Sequence, residues 1–101
     1  MGIDAQLENE TGKEIQLCGD PQSHFARFLA GQDLSSTACL RFIDPYGDTV
    51  FNRAQSAVLL AELQSLRSKA AAEARAFIDN VIKFARLASR KPHLYVRFIG
   101  D

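Results

Sequence analysis

The stretch RFIDPYGDTVF, residues 41–51, decides how the chain is read. It sets two carboxylates, a tyrosine and an arginine within a few residues, so it is either a site or a device for reversing the chain. Asp44-Pro45-Tyr46-Gly47 has Asp at the first position of a turn, Pro at the second and Gly at the fourth. Those are type I turn preferences: the Asp side chain accepts from free N–H groups ahead of it, and Pro presets its own φ. The expectation is a strand over TACLRFID (37–44) ending at Asp44, a turn, and re-entry through Thr49-Val50-Phe51. Asp48 is read as capping the turn's exit. As an ion site the segment is poor, because an EF-hand loop needs ligands at many alternating positions and a closing Glu. As a phosphate loop it lacks a second glycine and a following Gly-Lys-Ser/Thr.

Working toward the N-terminus, GIDAQLEN (2–9) alternates, with Ile3, Ala5 and Leu7 on one face. KEIQLC (13–18) repeats the alternation, with Ile15 and Leu17 expected inward and Glu14, Gln16 and Cys18 outward. Asn9 and Gly12 between them suit a hairpin loop. In GDPQSHFARFLAGQ (19–32), Asp20 reads as a helix N-cap and Pro21 as the first helical residue. Phe25, Phe28 and Leu29 mark the buried face, with His24 beside it.

Toward the C-terminus, NRAQSAVLLAELQSLRS (52–68) carries a leucine stripe at helical spacing, with Asn52 as its cap. AAAEARAFIDNVIKFARLASRK (70–91) is a second helical segment whose apolar residues span a broad arc. A phase shift near Ser68–Ala72 separates the two stripes, which leaves two helices or one bent helix open. Pro92 ends the helical segment, and HLYVRFIG (93–100) closes as a strand with Leu94, Val96 and Phe98 inward. The order is β-β-α-β-α-α-β over residues 1–101. A single α+β domain is expected, a four-stranded, largely antiparallel sheet with helices packed on one face. The strand at 37–44 and the last strand are expected to be neighbours.

Composition narrows the class of function. The chain has 101 residues, nine aromatics and 47% hydrophobic residues, enough for a core without disulfides or a structural metal. No apolar run nears the ~20 residues that cross a bilayer. The N-terminus has neither the basic start nor the apolar core of a secretory signal, so the expected location is cytoplasmic, with no membrane association. Cys18 and Cys39 then read as free, small apolar thiols. With His24 and His93 scattered, neither a zinc site nor an activated thiol is expected; no cofactor, metal or catalytic residue is assigned. Net charge is zero, yet residues 1–55 carry four basic and eight acidic side chains and residues 56–101 the reverse. A nucleic-acid partner is disfavoured, since the basic cluster Lys83, Arg86, Arg90 and Lys91 is modest and sits where a helix C-terminus favours cations.

The outer sheet face is expected to show Asp4, Gln6, Glu8, Glu14, Gln16, Cys18, Arg41, Ile43, His93, Tyr95, Arg97 and Ile99. Tyr and Arg are frequent interface anchors. The expected partner-binding set is Glu8, Glu10, Glu14, Asp20, Asp44 and Asp48 for charge, with Arg41, Tyr46, Tyr95 and Arg97 as anchors. The broad arc over 74–88 suggests a homodimer through that helix.

LRFIDPYGDTVFN (40–52), the leucine-rich helix after it and the closing HLYVRFIGD (93–101) resemble a group of small stand-alone bacterial proteins. The likeness covers residues 38–66 and 93–101 and implies no catalytic residues. In size and layout the chain also resembles the immunity proteins that neutralise bacterial toxins. The expected function is therefore protein binding rather than catalysis, as an immunity-type inhibitor of a toxin. A basic toxin domain is the expected partner, matched to the acidic first half. The alternative is a small enzyme or ligand-binding protein using the Asp44–Asp48 turn with His93 and Arg97.

Overall fold

In the computed structural model, which describes residues 2–101, the elements follow the expected order. They are β1 (Asp4–Asn9), β2 (Glu14–Cys18), α1 (His24–Ala30), β3 (Asp48–Phe51), α2 (Arg53–Arg67), α3 (Ala72–Arg90) and β4 (Leu94–Ile99). The sheet order is β2-β1-β4-β3 and every neighbouring pair is antiparallel. The helices pack against the face formed by Ala5, Leu7, Phe51, Val96 and Phe98, all buried. Phe25 of α1 stacks on Phe77 of α3 with centroids 4.5 Å apart, and Phe98 meets the edge of Phe51 at 6.0 Å. Such aromatic pairs add to the area they bury.

α2 starts where its sequence says. The Asn52 side chain accepts from Gln55 N, and the Gln55 side chain accepts from Asn52 N, a reciprocal capping box. Leu59, Leu63 and Leu66 form its buried stripe. A short turn near Ser68–Ala71 separates it from α3, so there are two helices and not one bent one.

Four local expectations change. Residues 37–44 are not a strand: Leu40–Phe42 form a 3-10 turn. The reason is tertiary. The Glu62 carboxylate on α2 accepts from Ala38, Cys39 and Leu40 N–H groups, at 2.6, 3.1 and 3.0 Å, which ties that backbone to a helix instead of a sheet. Leu40 and Ile43 turn inward while Arg41 and Phe42 turn out. The third strand is the re-entry segment after the turn, and it does lie beside β4.

β2 is inverted relative to its reading. Ala5 pairs with Cys18 and Leu7 with Gln16, so those two share the helix-facing side, and Ile15 and Leu17 stand on the outer face. Alternation alone states which residues share a face, but pairing register selects which face is covered.

α1 begins at His24, later than expected, after Ser23 in a left-handed conformation at φ 60°. Asp20 still serves it, from further away: its carboxylate accepts from Phe25 N and Ala26 N, and also from Ile3 N. Finally, the apolar arc of α3 is consumed inside the chain. Phe77, Ile78, Val81, Ile82, Phe84 and Ala85 are buried, and α3 touches the sheet on one side and α1 and α2 on the others. That packing already covers the apolar arc that suggested a homodimer through residues 74–88, so the arc gives no support for one.

Candidate functional site

The Asp44 turn forms as read. Gly47 N donates to Asp44 O, and Tyr46 N donates to the Asp44 carboxylate at 2.8 Å. Thr49 Oγ1 accepts from Asp44 N and donates to Phe42 O, clasping the segment across its base. The chain's end then lies against the turn: Gly100 N donates to Gly47 O at 2.7 Å and Asp101 N to Pro45 O at 2.9 Å. That approach needs a glycine, because a Cβ at residue 100 would stand 2.4 Å from Asp44 O.

With Glu62 holding one end and the turn the other, residues 41–46 form a clamped loop that carries exposed aromatics. Phe42 is 60% exposed and Tyr46 74%. The Arg41 guanidinium lies 4.8 Å from the Phe42 ring centroid, a cation–π contact that orders both. Next to them is a hollow of about 320 Å³ lined by Ile3, Leu29, Leu34, Ile43 and Pro45, with Arg41 at its rim.

The other expected site residues divide. Asp20 is buried and spends its carboxylate on three backbone N–H groups, so it is a cap and not a surface charge. Glu8 is only 3% exposed. Arg97 holds it through Nε and Nη2 and reaches Asp48 through Nη1 at 3.0 Å. Those carboxylates raise the Arg97 pKa further, the hydrogen bond to Glu8 contributing most. Asp48 therefore pairs with Arg97 instead of capping the turn. Gln6 Nε2 also donates to Glu8, so this network ties β1, β4 and β3 together on the outer sheet face. Tyr95 is half-buried on the same face, opposite Glu8. Arg41 and Ile43 are absent from that face because their segment is not in the sheet.

Glu10 and Glu14 are exposed at the hairpin, where Glu10 lies 3.6 Å from His93 Nδ1. They stand diagonally across the sheet from Tyr46: Asn9 pairs with Leu94, whereas Asp48 pairs with Ile99. Four to five strand residues between those rows amount to ~13–17 Å, and two strand spacings for Glu10 or three for Glu14 add ~10–14 Å sideways. His93 shares the hairpin end, so it does not join Asp44 and Asp48, and the Asp44–Asp48–His93–Arg97 set is split. Among the described residues no group of three or more His, Cys, Asp or Glu side chains is placed to hold a metal ion. No helix of the described residues is long and apolar enough to cross a membrane.

Cys18 and His24 border one shallow hollow of about 250 Å³ together with Asn80, which donates to the Cys18 sulfur at 3.5 Å. Burial nonetheless pushes the Cys18 thiol up, with Asn80 opposing, and burial raises Cys39 as well. Raised thiols are poor nucleophiles at neutral pH. Both cysteines are free.

Sequence reasoning missed Glu62, Phe42, Ile15 and Leu17. The strand reading sets Phe42 on one face with Leu40, away from Arg41 and Ile43, and Glu62, the one acid between Arg53 and Arg67, carries no local sign of its partners. Comparison with protein-family models, curated proteins and solved structures finds no match.

Proposed function

We propose that this domain acts by binding another protein, with the Arg41–Tyr46 loop as its anchor. The observation that carries this reading is the pair of outward aromatics, Phe42 and Tyr46, on a loop clamped at both ends. Aromatic and Arg side chains dominate binding hot spots, and a loop ordered before contact loses little entropy on association. The apolar hollow beside it offers a recess for one side chain of a partner. Glu10 and Glu14, exposed at the hairpin, add charge that steers a basic surface. An immunity-type inhibitor of a bacterial toxin, acting in the cytoplasm, is the concrete form of this function.

The test is capture from a nuclease-treated lysate of the source cells with the tagged protein, its Phe42→Ala/Tyr46→Ala variant and its Glu10→Lys/Glu14→Lys variant. One stoichiometric protein partner is expected, lost with the aromatic variant, and associating more slowly with the charge-reversed one at low salt. A partner retained unchanged by the aromatic variant would move the anchor elsewhere. No partner at all would count against the reading and direct attention to ligand screening around Asp44 and Asp48.

A further inference from the structure

The two edges of the sheet are finished differently. β3 has four residues, and Thr49 within it is tied to the loop before it through Phe42 O and Asp44 N. β2 pairs with β1 on one side and, among the described residues, with no strand on the other. Glu14 through Leu17 are exposed, so neither face of this strand is covered along most of its length. An edge with free N–H and C=O groups is a template for another strand unless Pro, a central charge or a covering element blocks it. β2 has no proline, no charge beyond Glu14 and, among the described residues, no covering element; its register shift, opposite Leu7 and Glu8, skips Ile15, and Gln16, Leu17 and Cys18 pair regularly with β1.

We propose that β2 is the interface for a second copy of this chain. The two β2 strands pair antiparallel across a two-fold axis at Gln16, joining two four-stranded sheets into one of eight. The sequence selects this register. It sets Ile15 opposite Leu17 of the second copy, and Leu17 opposite its Ile15, all on the outer face. These side chains are 48% and 51% exposed in the single chain and cover one another in the pair. The same register keeps the two Glu14 residues four positions apart, ~13 Å along the strands, beyond the ~8 Å over which salt leaves charges coupled. A two-fold at Ile15 would halve that separation and set Leu17 against Lys13. One at Leu17 would set Ile15 against Gly19. A net charge of zero adds no long-range repulsion between copies. A five-residue strand pair buries less than the ~1,600 Å² of a standard interface, so the dimer is weak and forms with rising concentration.

Ile15, Gln16 and Leu17 are exposed, so substitutions there leave the fold of the single chain intact. Sedimentation equilibrium up to ~1 mM protein, the weak end of the affinity scale, is expected to resolve a dimer that Ile15→Lys and Leu17→Lys reduce to the 11.2 kDa monomer. In a Cys18→Ser background, Gln16→Cys places two thiols opposite each other at a Cα separation of ~5 Å, within disulfide range. Mild oxidation is expected to cross-link it, while a Val50→Cys control on β3 stays uncross-linked. A monomer at every concentration would overturn the proposal. So would a dimer that survives Leu17→Lys, or equal cross-linking of both cysteine variants.

Discussion

Arg97 on β4 holds Glu8 on β1 across 89 positions of sequence, Nε donating to Oε1 at 2.7 Å and Nη2 to Oε2 at 3.2 Å. The geometry is bidentate, the stronger form of the Arg–carboxylate pair. It sits on the face of the sheet away from the helices, where Glu8 is nevertheless withdrawn from solvent. With Asp48 on the third side, one guanidinium links three strands.

Removing that guanidinium strands a buried carboxylate. Arg97→Met is expected to cost about 2 kcal/mol, below the 3–5 kcal/mol of a fully buried pair because Arg97 keeps 29% of its side-chain exposure. Adding Glu8→Gln is expected to recover part of the loss, since the charge left behind is gone. Urea denaturation of the two single variants and the double variant checks this; strictly additive losses would mean the two side chains do not act together.

Asp20→Ala removes the acceptor for three backbone N–H groups, those of Ile3, Phe25 and Ala26. The expected loss is ~3 kcal/mol, from an unsatisfied buried set and a lost helix cap. In a domain of this size that lowers the melting temperature by more than 10 °C, roughly. A surface carboxylate held for a partner would change stability by less than ~0.5 kcal/mol instead.

Gly100→Ala forces a Cβ into Asp44 O and lifts the last residues from the turn. A loss of ~1–3 kcal/mol is expected, with faster amide exchange at Gly100 and Asp101, whose N–H groups pair with Gly47 O and Pro45 O. Unchanged exchange at those two amides would show that the turn tolerates the side chain.

Arg67 and Asp79 join α2 to α3, with Nε to Oδ1 at 2.5 Å. The Arg67 hydrogen bond holds the Asp79 carboxyl below its ordinary value. A depressed carboxylate contributes stability that is complete above its unfolded pKa of ~3.9 and is lost as pH falls through the folded value. The pair's contribution is therefore constant at neutral pH and disappears in acid. NMR titration of Asp79 in the wild type and in Arg67→Gln checks this, the variant being expected to titrate higher.

The helix-bearing half was legible because its signals are local. The Asn52–Gln55 box and the leucines three and four apart in α2 need only nearby residues to act. The alternation in β1 and β4, and the Asp44-Pro45-Tyr46-Gly47 turn, are local in the same way. The clamp that the turn provides was legible only in part, because its second half comes from Gly100 and Asp101.

What the sequence by itself determined is the order of elements, the α+β class and the turn, each set by backbone preferences acting over a few residues. Tertiary structure alone decided the rest. Glu62 withdrew residues 37–44 from the sheet by accepting three of their N–H groups from a helix more than twenty positions on. Pairing with Ala5 and Leu7 chose which face of β2 turns toward the helices, and so set Ile15 and Leu17 on the other. The carboxylates Glu8 and Asp20, polar in any sequence reading, became internal because their partners arrived from distant strands and loops. A side chain's type limits which partners it accepts, but which one it meets depends on how the whole chain closes.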